Sequence, residues 1–231
     1  LLHHALGHDH RFHATSILGY GGTEETRSKH DCHIDREVEV IEAVGREIAR
    51  PVHLVGHFFG ATVALAAAMQ HRIDTLSVTT FEANPISLLA SAHPELFAEA
   101  AATGGAIRQA CEAGDRDAPA VVIDYWGGTG AFAGLPEGVR DYCRATAPAN
   151  MLDWMTVPSL TVDSVSLEGF DKPVLLARGS AANPAMVEIT RLLECALPHA
   201  KSAVVDEASH FLISTHPAQC AGLMAEFYAG L

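Results

Sequence analysis

The ten residues His53-Leu54-Val55-Gly56-His57-Phe58-Phe59-Gly60-Ala61-Thr62 constrain the fold more than any other stretch. Pro51 opens a short apolar run, Val52 to Val55, with the brevity of a buried strand. After Gly60 an Ala-rich run reaches Met69 with no further Gly or Pro, which favours a helix. A strand must therefore pass into a helix across Gly56-His57-Phe58-Phe59-Gly60. Only a sharp turn does this, and the two glycines permit it. Such a turn projects its central side chain, here Phe58, at the end of the sheet, with the next backbone N–H (Phe59) at a helix N-terminus.

The remaining chain repeats the strand–helix alternation of an α/β domain with a mainly parallel sheet. Val40, Ile41, Val44 and Ile48 form one apolar face of a helix over 36–48. Strands are expected at 12–18, closed by the turn Gly19-Tyr20-Gly21-Gly22, and at 76–81, 174–177 and 202–205. Leu1-Leu2 reads as the tail of another. Helices are expected at 184–197 and 217–231. Between Glu82 and Asp171 strand alternation ceases: both tryptophans, Trp126 and Trp154, lie there, with helices at 86–102 and 106–113. The domain reading is a core of 1–83 and 167–231, interrupted by a helical insertion at 84–166. The chain opens on Leu1 in mid-pattern, so natural residues are expected upstream.

Composition excludes several functions. Among 231 residues 48% are hydrophobic, enough for a sizeable core, and the net charge is −13. An acidic chain lacks the basic footprint of a nucleic-acid or anionic-membrane surface. No apolar run reaches the ~18 residues of a membrane span, and no signal-peptide pattern appears. The five cysteines, Cys32, Cys111, Cys143, Cys195 and Cys220, are odd in number and widely spaced, without C-x-x-C. They read as reduced thiols of a cytoplasmic protein. Of 14 histidines, His3, His4, His8, His10, His13, His30 and His33 crowd the first 33 positions. His8-Asp9-His10 and His30-x-x-His33 carry metal-ligand residue types, but no H-E-x-x-H or comparable ligand pattern is present. The expectation is no metal and no cofactor.

The stretch "VHLVGHFFGATVAL" resembles the "LVGHSFGG-x-VAL" nucleophile elbow of bacterial α/β-hydrolases. Further matches follow in order: "LLHHALG" is similar to a strand and H-G-type oxyanion loop, and "HATSILGYGGT" to the "D-L-x-G-x-G-x-S" strand and loop. "KPVLLARGS" resembles the penultimate strand, and "LPHAKSAVVDEASHFLISTHP" the last strand with its histidine loop. The resemblance covers nearly the whole chain. It implies an α/β-hydrolase fold, a mostly parallel sheet flanked by helices, with residues 84–166 as a helical lid over a pocket for a small apolar acyl substrate such as an ester or lactone. The family places a full helix between its first two matched strands. His4 to His10 has no length for one, so a segment is expected to be missing there.

The residue roles follow from the same resemblance. His210 stands where the family has its general base. Glu82, after the strand that follows the elbow helix, resembles the "M-E-A" acid of haloalkane dehalogenases, and would orient the imidazole. A solvated strand-end glutamate is the plain alternative; Asp171 and Asp206 are weaker candidates. The other family position for the acid holds only Asn183. The oxyanion site would combine the Phe59 N–H with the loop at His4, where the family has glycine. The nucleophile position is Phe58, and a phenyl ring can neither attack a carbonyl nor hold an acyl group. Thr62 offers no evident rescue. His57, normally facing the core side, is grouped with Tyr125 and Trp126 as substrate contacts. The turn Gly127-Gly128-Thr129-Gly130 lacks the lysine of a phosphate cradle and reads as a lid joint. Two other readings stay open: a ligand-binding protein without turnover, and a His–Glu general-base enzyme that needs no nucleophile, such as a lyase or cofactor-free oxygenase. The sequence leaves the oligomeric state open.

Overall fold

The computed structural model describes residues 2–6, 10–160 and 164–231; of residues 4, 5, 164 and 165 it describes the backbone alone. In chain order the elements are α1 (Leu2–Leu6), α2 (Ile34–Ile48), β1 (Val52–His57), α3 (Phe59–Met69) and β2 (Thr75–Phe81). A helical segment follows: a 3-10 turn (Ile86–Leu88), α4 (Leu89–Ala92), α5 (Pro94–Glu112), α6 (Pro119–Gly127), α7 (Ala131–Gly134), α8 (Glu137–Thr156), a second 3-10 turn (Val157–Ser159) and α9 (Ser164–Glu168). The chain closes with β3 (Val174–Gly179), α10 (Pro184–Ala196), β4 (Ala200–Val205), α11 (Leu212–Thr215) and α12 (Pro217–Ala229).

The four described strands form one parallel sheet in the order β1-β2-β3-β4. Parallel neighbours need crossovers, and α3, the 86–168 segment and α10 supply them. On one face α3 is apolar all round and almost wholly buried, so its alanines bring it close to β1 and β2. α2 and α10 complete that layer, around Val38, Val63, Val78, Leu176 and Ile189. The other face is covered by α12, whose Cys220 and Met224 pack with Phe81, Ala177 and Val205. No described helix is long and apolar enough to cross a membrane.

The structure corrects the sequence reading at the N-terminus. Leu2–Leu6 is a helix packed on α12, not a strand tail, so it is not the strand before an oxyanion loop. A helix thus stands just ahead of the stretch 10–17, where the sequence reading expects one to be missing. That stretch forms no regular element and pairs with no strand among the described residues, so the strand expected at 12–18 does not form. Its histidines and Arg11 are exposed, which leaves little apolar surface to hold an edge strand in register. Residues 7–9, including Gly7 and His8, lie outside the described residues. The break expected near residue 103 falls instead at His93-Pro94: proline starts α5 at its first turn, and Gly104 is held inside the helix against Trp154.

Candidate active site

The turn after β1 is tight, its backbone held mainly by main-chain hydrogen bonds. A Cβ on Gly56 would lie 2.4 Å from the Gly60 carbonyl, so no side chain fits there, whereas Gly60 itself faces open space. Between them Phe58 has φ 53° and ψ −121°, a conformation costly for any side chain. It is pinned on both sides: its N–H donates to the Phe81 carbonyl at 2.8 Å, and its carbonyl accepts from Ala61 and Thr62. The strained turn thus persists without the hydroxyl, thiol or carboxylate that uses such a turn. Phe59 is the first residue of α3, where the N–H has no intrahelical acceptor.

Opposite the ring stands an imidazole–carboxylate pair. His210 Nδ1–H donates to Glu82 Oε2 at 2.6 Å, both groups being buried (5% and 1% exposed). The second carboxylate oxygen of Glu82 accepts the Gly179 N–H at 2.9 Å. With Nδ1 engaged as donor, Nε2 is left as the acceptor nitrogen of a neutral imidazole. The β3 end and the His210 loop meet so closely that a Cβ on Gly179 would lie 2.2 Å from the Ala208 carbonyl. The Phe58 and His210 rings meet edge-on with centroids 4.7 Å apart.

His57 Nε2–H donates to the His210 carbonyl at 2.8 Å. Burial, with the neighbouring His210, pushes its pKa down to about 3, so it stays neutral. Its visible work is to hold the backbone of the His210 loop.

Phe58, His57 and His210 open onto a cavity of about 360 Å³, within the size range of small-molecule sites. α6 contributes Val122 and Trp126 to its wall, and Trp126 meets the Phe58 ring edge-on at 5.3 Å. α8 contributes Cys143, Thr146, Asn150 and Asp153, and the loop after residue 16 contributes Ile17 and Tyr20.

The end made by Tyr20, Asn150 and Asp153 is polar, and none of its residues stood out in the sequence. Arg27, with its side chain fully buried, sits behind it. Its guanidinium lies 2.7 Å from Glu25, 2.9 Å from Glu37 and 2.9 Å from Asp153. Tyr20 donates its hydroxyl to Asp153 at 2.7 Å and accepts the Asn150 amide at 3.3 Å. Burial raises the Asp153 carboxyl to about 7 against the pull of Arg27, raises Glu37 as well, and holds Tyr20 far above the ordinary phenol range. The sequence mark of this end is slight: one aspartate within the otherwise apolar run Met151-Leu152-Asp153-Trp154-Met155.

Other candidates are placed elsewhere. Tyr125 is not among the residues lining the cavity; it packs against the main core and edge-on to Trp126. Asn183 caps α10 and donates to the Tyr125 carbonyl. Asp171 and Asp206 are exposed and have no bond to His210. Thr62 is buried, bonded to Asn84 at 2.7 Å. In the Gly127–Gly130 turn the Asp124 carboxylate accepts the Gly130 and Phe132 N–H groups, filling the place a phosphate would take. His33 caps α2, and His53 bonds Ser77; among the described residues no group of metal-ligating side chains gathers. His4 lies within α1, and its side chain is outside the described residues.

The model of the "Alpha/beta hydrolase family" matches residues 1–223. No curated protein matches the sequence. The chain is similar in structure to MenH from S. aureus, with TM-score 0.71 and 14% identity over 93% of this chain and 81% of that one. It is similar to a bromoperoxidase from Bacillus anthracis, with TM-score 0.68 and 19% identity over 91% and 79%. An alpha/beta hydrolase from Sphaerobacter thermophilus gives 0.64 and 18% over 92% and 79%. At such identities these likenesses show the shared fold. With the family model matching nearly its whole length, this chain belongs to the alpha/beta hydrolase family.

Proposed function

We propose that this site is an acyl-hydrolase site, for small apolar esters or lactones, in which the nucleophile is replaced, so that covalent turnover is weak or absent. The observation that carries the reading is the buried His210–Glu82 pair set against Phe58 at the wall of a largely apolar cavity. In this reading Nε2 of His210 is the base, Glu82 fixes its tautomer and stabilises imidazolium, and the Phe59 N–H faces the developing oxyanion. His4 was expected to complete the oxyanion site and has no described side chain to support it. Phe58 supplies no atom that can form an acyl bond. Residues 84–166 serve as the lid, with Trp126 contacting substrate and Tyr125 supporting it from behind. His57 positions the His210 loop. Five free thiols fit a reducing, cytoplasmic setting.

The test is a panel of p-nitrophenyl esters assayed on the chain and on Phe58→Ser. The chain as it stands should show background hydrolysis and no serine-type acyl adduct. Phe58→Ser should gain turnover on the order of 10³-fold, and His210→Ala in that background should remove it. Strong hydrolysis by the chain as it stands, through an acyl adduct, would overturn the reading.

The intact pair also favours a second reading, base catalysis without a nucleophile. Loss of turnover in His210→Ala with ligand binding preserved would select it; binding without turnover in either form would select a pure ligand-binding role.

A further inference from the structure

The two ends of the cavity differ in the hydrogen-bonding partners they present. At the polar end the hydroxyl donors of Tyr20 and Thr146 are already committed to protein acceptors. The Tyr20 hydroxyl donates to Asp153, so the contact with Asn150 must run from the asparagine N–H to the Tyr20 oxygen. That orients the Asn150 amide and leaves its carbonyl oxygen and second N–H open. The Thr146 hydroxyl donates back to the Tyr142 carbonyl at 2.9 Å, which leaves it as an acceptor. Arg27, the cation of this cluster, is shared among three carboxylates. At the other end Trp126, 2% exposed, lines the cavity, and its buried indole N–H has no hydrogen-bond partner among the described residues.

We propose that Tyr20, Thr146, Asn150 and Asp153 form a subsite for a hydrogen-bond-donating group of the ligand, a hydroxyl or an amine, and that this subsite disfavours carboxylates. A donor group finds acceptors without displacing any existing bond. Among these four residues a carboxylate finds one uncommitted N–H, on Asn150, and no free cation, and it approaches a cluster in which acids outnumber bases. Buried there, it loses more hydration than that one N–H returns. The inference rests on the reading of this cavity as the ligand site, but it needs no turnover.

Three ligands of matched shape test it by calorimetric titration of the intact chain: 4-phenylbutanol, 4-phenylbutylamine and 4-phenylbutyrate. The alcohol and the amine should bind at least about 10-fold more tightly than the carboxylate. The titrations are run at about pH 8.5, where Asp153 is ionised; Asn150→Leu removes the open carbonyl, and Asp153→Asn turns an acceptor into a donor. Each should shrink the preference to below about 3-fold, and in Asp153→Asn the carboxylate should gain in absolute affinity. If Asp153→Asn fails to fold, Asn150→Leu alone decides. Carboxylate binding equal to the alcohol, a preference untouched in both variants, or no binding of any of the three would overturn the proposal. Because binding is the readout, a Phe58→Ser variant without hydrolysis would count against the proposed reaction and leave this result standing.

Discussion

The cavity is built by two regions that solve the burial of charge in opposite ways. At the β-strand ends one carboxylate, Glu82, meets one imidazole and one backbone N–H, and both of its oxygens are satisfied. Under α8 three carboxylates crowd one guanidinium, and burial lifts two of them, Asp153 and Glu37, above the ordinary range. The first arrangement is a closed pair at the tip of a rigid sheet, suited to moving a proton. The second is an acid-rich network joining the N-terminal loop, α2 and α8, where the charge excess is a structural liability unless a proton or a donor ligand offsets it. In the proposed reading the contrast separates chemistry from recognition: His210 at the sheet end serves as the base, and the helical end supplies a set of acceptors.

The largest effect expected from breaking the contrast is at the sheet end. Phe58→Ser restores a group the pair can activate, and the gain of about 10³-fold corresponds to about 4 kcal/mol of barrier. At the helical end the comparable break is Arg27→Met. It leaves Glu25, Glu37 and Asp153 facing one another, and should destabilise the fold by roughly 3–5 kcal/mol in urea unfolding while leaving the His210–Glu82 geometry intact. A loss under about 1 kcal/mol would mean that the network is no stronger than a surface ion pair. Smaller again is Gly179→Ala. Its Cβ would press on the Ala208 carbonyl, so the His210 loop must shift, at a cost of about 1–3 kcal/mol. In a Phe58→Ser background the same change should lower kcat more than it raises KM, because it moves the base and not the polar end of the cavity.

The two ends were not equally legible. The elbow, β2 ending at Glu82 and the loop carrying His210 are local patterns of glycines, apolar runs and strand ends, and the sequence reading placed all three within the elements they occupy. The polar end is non-local: Arg27 reaches residues 37 and 153, and Tyr20 reaches residue 153, none of them linked by spacing. Tyr20 reads as a turn residue and Asn150 as one polar residue of the 84–166 insertion. Asp153 alone carries a trace, an acid among apolar neighbours. The first 18 residues failed in the other direction. A helix was read as a strand and loop because Leu-Leu followed by histidines has no clear period in so short a run, and residues 12–18 were read as a strand although no neighbour pairs with them. Secondary structure there is decided by packing on α12, which short-range patterning does not encode.

The finest separation of the two ends is in their response to pH. His57 at the sheet end is pushed by burial from 6.5 down to about 3. The unfolded chain takes up a proton there that the folded chain refuses, so this contribution to stability is full above 6.5 and is lost as pH falls toward 3. Asp153 at the helical end is raised by burial from 3.8 to about 7. The folded chain keeps a proton that the unfolded chain releases, so this contribution is full below about 4 and is lost as pH rises through 7. Glu37 is pushed in the same direction by burial. Between about 4.5 and 6.5 the two ends oppose each other, each with a slope of up to ~1.4 kcal/mol per pH unit for one proton. Relative to the unaltered chain, Asp153→Asn should therefore lose stability as pH falls through this window, and His57→Gln should gain it. Urea midpoints measured at intervals of about half a pH unit give the comparison directly. Parallel profiles for the two variants would mean that one end alone governs the proton balance. Profiles that diverge with the stated signs would place one proton-refusing group at the base and one proton-keeping group beneath α8.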